Sequence, residues 1–230
     1  ILRKVTREYR DEFGSDGDIQ PLPANKPQES SMKIPELSAK TESTGIIWVN
    51  LPNTETVSFK EECFTEAKTV RDITKSRVFF GTFTGLLQLI DKTETIEWLL
   101  LIGHGGVDYY GRHLDLLFSD GNNIERIERN RFITAVVNRK VEYVFLNTCY
   151  SWEVVDALTS RGIMASWGWS TKCHCGAATL LSQWFFFHWK VLNKNIADAF
   201  ECAKDHVTGA TESIGMSMDG LYIKDEKFSF

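Results

Sequence analysis

Two near-continuous apolar runs, Trp98 to Ile102 and Val141 to Leu146, constrain the fold of this chain more than any other feature. A strand with one wetted face alternates apolar and polar residues, whereas an apolar run belongs to a strand covered on both faces. Such strands are parallel and need helical crossovers between them. The runs lie far enough apart for a crossover. Other strand and helix signals alternate around them, so an α/β fold is predicted, with a mainly parallel central sheet and helices on both faces.

Strands are predicted at 45–51, 77–80, 98–102, 114–118 (a hairpin arm turned by Asp120 and Gly121), 141–146 and 163–167, with a last strand or hairpin within 218–230. Helices are predicted at 59–73, 84–90 and 129–139, after Cys149 to Ser160, over 176–192 and from Ile196 to Val207. Glu125, Arg126, Glu128, Arg129 and Arg131 look like a solvated helix face. Ahead of the domain, Ile1, Val5, Tyr9 and Phe13 have the spacing of an upstream helix tail. Four of the five prolines, Pro21, Pro23, Pro27 and Pro35, follow among polar residues. Residues 1–44 therefore read as a linker or the end of an upstream region, and 45–230 as the domain. A start without Met or a signal-peptide pattern is expected of a piece of a longer chain.

Each central run ends in a reactive side chain. His104 follows the first by two residues and Cys149 follows the second by three. In an open α/β sheet, ligands bind outside the carboxyl ends of the strands. Parallel neighbours lie about 4.8 Å apart, so a thiol and an imidazole would emerge at one sheet edge, in contact or far enough apart to admit a peptide bond. That pair suits nucleophilic catalysis, with cysteine attacking and histidine moving the proton. Gly103, Gly105 and Gly106 around the histidine permit a tight turn with approachable backbone N–H groups. The amides of Gly105 and Cys149 are the natural donors for an oxyanion. A short helix after Cys149 would aim its N-terminus at the thiol, where the helix dipole favours negative charge.

Composition removes other classes. The net charge of −5 supplies no basic field, so no direct nucleic-acid binding is expected. No apolar run approaches the roughly 18 residues that cross a bilayer, so no membrane role is expected. The five cysteines are odd in number and irregular in spacing, which fits a reducing, cytoplasmic setting better than a disulfide framework. Cys173, His174 and Cys175 are too tightly spaced for a zinc site and no matching pair follows, so no metal and no cofactor are expected. His113, His188 and His206 are expected to be surface or core residues.

A histidine and glycine after one apolar strand, and a cysteine after the next, resemble the caspase-like (clan CD) cysteine peptidases. In caspases the histidine stands about 50 residues before the cysteine; here the gap is 45. Within that clan the chain is most similar to the CHAT domain, often fused to TPR repeats. The likeness runs from about Gly45 to Gly209 and is carried by a series of stretches up to the cysteine strand and beyond it. Glu61 to Ala67 resembles the family's early acidic helix, and Thr82 to Ile90 its short helix before the histidine strand. Leu101 to Gly105, Leu114 to Gly121 and Val144 to Cys149 follow in order, and Arg161 to Trp167 leads to a long aromatic helix and the alanine-rich helix Ile196 to Lys204. Tyr150 departs from the acid that frequently follows the cysteine, and Gly168 to Cys175 does not match the usual run.

The resemblance implies a cysteine endopeptidase that cleaves a protein partner, with Cys149 as nucleophile, His104 as general base and then acid, and the Gly105 and Cys149 amides as oxyanion hole. No carboxylate is required as a third member. It implies that Asn147, two residues before the cysteine, lines the S1 pocket, and a neutral side chain there gives no strong charge selection. The strand Ala165 to Trp169 would form another wall, with Ser166 and Trp167 as contacts. It also implies control by an upstream TPR-like or sensor region. By analogy the setting is antiviral defence in bacteria, with an RNA-guided effector as partner or a pore-forming gasdermin as target. Two other readings stand beside it: a catalytically inactive caspase-like interaction module, and a thiol hydrolase acting on a small amide.

Overall fold

The computed structural model describes residues 19–21, 44–51, 55–106, 115–119, 124–170, 173–214 and 221–225. The two apolar runs lie side by side in a seven-stranded sheet. In chain order its strands are β1 (Ile19–Pro21), β2 (Gly45–Asn50), β3 (Arg77–Phe80), β4 (Trp98–Gly103), β8 (Tyr143–Asn147), β9 (Ala165–Trp169) and β10 (Leu221–Asp225). In space they run β1-β3-β2-β4-β8-β9-β10. All pairings are parallel except that of β10 with β9. This mainly parallel sheet with helices on both faces is compatible with a caspase-like α/β fold.

Strand alternation sorts the core into two layers. Ile46, Trp48, Leu99, Leu101, Val144 and Leu146 point to one face, where they meet α2 (Phe83–Lys92), α3 (Arg129–Asn138) and α4 (Trp152–Thr159). Ile47, Val49, Leu100, Ile102 and Phe145 point to the other, where α1 (Val57–Thr74), α5 (Cys175–Phe186) and α6 (Ile196–Ile214) cover them. Central strands covered on both sides account for the apolar runs. No described helix is long and apolar enough to cross a membrane.

The strand order reverses beside β4. From β2 the chain passes through α1 to β3 on one side, whereas from β4 it continues to β8 on the other. The carboxyl ends of β2 and β4 therefore flank a topological switch point, the usual place for a binding crevice in such sheets. A small antiparallel sheet of β5 (Gly105–Gly106), β6 (Asp115–Ser119) and β7 (Ile124–Glu128) begins immediately after β4 at that edge.

Three elements differ from the sequence expectation. Residues 124–128 form β7, so Glu125, Arg126 and Glu128 lie on a strand, and the helix starts only at Arg129. Ile127 is buried between exposed Arg126 and Glu128, a two-residue period that the density of charge disguises. The helix over 176–192 is α-helical only to Phe186 and closes with a π-turn at Phe187–Val191. The wider turn carries Trp189 into the aromatic layer, 5.4 Å from both Tyr143 and Phe185. Finally, Ile19–Pro21 forms the edge strand beside β3; the rest of 1–43, including the predicted helix tail, lies outside the described residues.

Candidate functional site

Strand register brings the turns that carry the two residues side by side. β4 and β8 pair in parallel from Trp98 opposite Tyr143 to Ile102 opposite Asn147. Continued past the strand ends, that offset sets His104 level with Cys149. The backbones confirm close approach: a Cβ built on Gly105 would lie 1.9 Å from the Cys149 carbonyl oxygen. Gly103, at φ +149°, closes β4 against β2, and a Cβ there would lie 2.3 Å from the Asn50 carbonyl oxygen. The His104 carbonyl accepts a hydrogen bond from the Leu117 N–H at 3.3 Å, which ties the turn to β6.

The start of α1 holds the His104 ring. Thr56 caps the helix, its hydroxyl accepting from the Phe59 N–H at 3.3 Å. The cap places two side chains on the imidazole. Phe59 stacks on it with ring centroids 4.5 Å apart and planes 16° from parallel. Glu55, the residue before the cap, brings Oε1 to 3.0 Å from Nε2. The oxygen sits off the N–H axis, so this is a close polar contact without an aligned hydrogen bond.

Cys149 is half-buried, and its Sγ accepts from the Cys173 N–H at 3.3 Å. The chain then turns through Tyr150, at φ 55°, into α4. A non-glycine residue in this left-handed region is uncommon. Ser151 holds the turn: its hydroxyl donates to the Thr148 carbonyl at 2.9 Å and accepts from the Trp169 N–H at 3.1 Å. Burial raises the thiols of Cys63, Cys173 and Cys175, the last to about 12 with help from Glu62. All three stay protonated at neutral pH and do not compete as nucleophiles.

The residues expected to line a specificity pocket lie behind this surface. Asn147 is almost fully buried, and its amide is fully engaged. Nδ2 donates to Glu66 of α1 and, at 2.8 Å, to Ser182 of α5, while Oδ1 accepts from the indoles of Trp167 at 3.0 Å and Trp169 at 3.2 Å. Ser182 also donates to Glu66, at 2.8 Å. Ser166 and Trp167 are enclosed: the Ser166 hydroxyl donates to the Val155 carbonyl at 3.2 Å, and Trp167 stacks on Phe145 at 4.1 Å. Neither side chain reaches solvent in this conformation.

Among the described residues, no three His, Cys, Asp or Glu side chains converge as a metal site. His188 is buried with both ring nitrogens unpartnered, and His206 stacks on Trp184 at 4.1 Å. His113 lies outside the described residues.

Glu66 carries a pH dependence. Burial pushes its carboxyl up to about 7, opposed by the hydrogen bonds from Asn147 and Ser182. An acid with a raised folded pKa keeps its proton longer in the native state than in the unfolded chain. The stability it contributes is complete below the ordinary carboxylate range and is lost as pH rises toward 7. Glu66→Gln keeps an acceptor for both donors and cannot ionise. It is expected to match the wild type near about pH 5 and to exceed it by about 1–3 kcal/mol near about pH 8, read from urea midpoints at the two pH values.

Glu55, Phe59 and Glu66 were not found by sequence reasoning. The available signal was positional: α1 starts just after β2, beside the strand that ends in His104, so residues around its cap lie at the switch point. Compared with known proteins, the chain matches no family model and no curated sequence.

Proposed function

We propose that this chain is a cysteine endopeptidase domain of the CHAT, caspase-like type, working through Cys149 and His104 on a protein substrate. The observation that carries the reading is the contact of Gly105 with the Cys149 backbone, together with a strand offset that sets His104 level with Cys149. In this reading the Cys149 thiolate adds to the scissile carbonyl, and the Gly105 and Cys149 amides receive the oxyanion. His104 gives its proton to the leaving amine, leaving a thioester. It then takes a proton from water, whose attack releases the acid and restores the thiol.

Burial of Ser166 and Trp167 and the saturated amide of Asn147 accord with a resting state that an upstream sensor or TPR-like region opens. The same burial favours the second reading, a caspase-like interaction module without catalysis. Antiviral defence, with an RNA-guided effector or a gasdermin, is the setting the resemblance suggests. Wild type and Cys149→Ala are to be incubated with candidate protein substrates, in the presence of the upstream region. Cleavage by wild type alone supports the peptidase. Binding without cleavage by both supports the module, and cleavage that survives in Cys149→Ala sinks the dyad.

A further inference from the structure

Nothing in the resemblance requires a third member of the site, yet a carboxylate reaches the histidine. We propose that Glu55 is a positioning residue for His104: it holds the ring through Nε2, leaves Nδ1 to exchange the proton with Cys149, and stabilises the imidazolium as it forms. This inference rests on the Cys149–His104 reading and adds a partner to it.

Three observations carry it. The carboxylate oxygen lies 3.0 Å from Nε2, and about three-quarters of each side chain is shielded from water, with exposures of 28% for His104 and 26% for Glu55. A polar contact so shielded is weakened less by solvent than an exposed one. Second, the ring is already restrained in its plane by Phe59, so a contact at its edge selects one nitrogen. Third, Glu55 and Phe59 come from one capped helix start, which makes them a single clamp rather than two chance neighbours. The off-axis approach of Oε1 suits a free enzyme, in which such bonds are often poorly aligned until substrate binds. With Nε2 facing the carboxylate, Nδ1 is the nitrogen left for the thiol.

Other ionisable groups stand close to the site. Glu62, Cys63 and Glu66 lie on α1, and Cys173 and Cys175 at the start of α5. The three thiols are held protonated by burial. Glu66 titrates near about 7, so the comparison is made in the Glu66→Gln background as well as in the native chain.

The test is the rate of Cys149 alkylation by iodoacetamide as a function of pH, followed by peptide mass. It needs no substrate. Glu55→Gln is expected to lower the rate near about pH 6 roughly tenfold, since a base no longer held in place beside the thiol serves it poorly. Near about pH 10, where ordinary thiols are ionised without a base, the rate should be unchanged. Glu55→Asp should fall between, and Glu55→Gln should add nothing on top of His104→Ala. A Glu55→Gln profile that superimposes on wild type, while His104→Ala loses the low-pH reactivity, overturns the role of Glu55 and leaves the dyad standing. A His104→Ala profile equal to wild type overturns the dyad itself. A loss of rate in Glu55→Gln at high pH as well as low marks Glu55 as merely structural and overturns the proposal.

Discussion

Gly105→Ala is expected to reduce labelling of Cys149 by a peptidyl electrophile at neutral pH by at least about 100-fold while the sheet still folds. The new methyl would stand 1.9 Å from the Cys149 carbonyl oxygen and 2.9 Å from its carbonyl carbon. Both are backbone atoms, so no side chain can swing aside. The turn after β4 and the turn after β8 must separate by more than about 1 Å, and misplacement of that size costs catalytic systems about two orders of magnitude. The core lies deeper, in strands whose pairing ends before either turn, so a cooperative melt should survive. Gly162→Ala is the control. It meets no atom within 4 Å, but its φ of +98° strains any other residue. It should lower stability and leave labelling unchanged. Comparison of the two by melting and by labelling rate separates damage to the site from damage to the fold.

Asn147→Asp is expected to destabilise the protein by about 3–5 kcal/mol near neutral pH. The native amide donates through Nδ2 to Glu66 and Ser182 and accepts through Oδ1 from two indoles. A carboxylate cannot donate, and it would face the Glu66 carboxyl inside the core. Two such groups cannot both ionise there, and one of them must hold a proton that the unfolded chain would release. The deficit should therefore shrink as pH falls. Glu66→Gln in the same chain should recover part of it, since the new amide donates to the new carboxylate and Ser182, Trp167 and Trp169 still surround it. Urea denaturation of the two single variants and the double variant gives the coupling directly. If Asn147→Asp is neutral, the buried network is not holding the end of β8 in the way described.

The layers of the fold were legible because burial on two faces leaves a mark in one strand's own residues. Trp98 to Ile102 and the run ending at Leu146 announced central strands, and the alternation of helices around them gave a parallel sheet. The ends of those strands lead to His104 and Cys149, and parallel pairing sets the turn after β4 beside the turn after β8. What escaped depends on contacts between distant segments. Ile124 to Glu128 has the charge of a helix surface, and only its pairing with β6 makes it a strand. The π-turn after Phe186 answers to aromatic packing across the sheet, not to local propensity. Asn147 looks like a solitary polar residue before a cysteine. Its four hydrogen bonds come from α1, α5 and β9, and no single segment records them. Glu55 stands in a short polar connection where an acid is unremarked, and its meaning comes from the neighbouring strand that ends in the histidine.

The central claim is that Cys149 is a nucleophile served by His104. It is tested most directly by site occupancy. The full chain is treated with a peptidyl acyloxymethyl ketone at neutral pH, and each of the five cysteines is quantified by peptide mass. The account predicts adducts on Cys149, none on Cys63, Cys173 or Cys175, whose thiols burial keeps protonated, and loss of the Cys149 adduct in His104→Ala. Equal labelling of Cys149 with and without His104, or adducts that persist at other cysteines in Cys149→Ala at the wild-type rate, would contradict it.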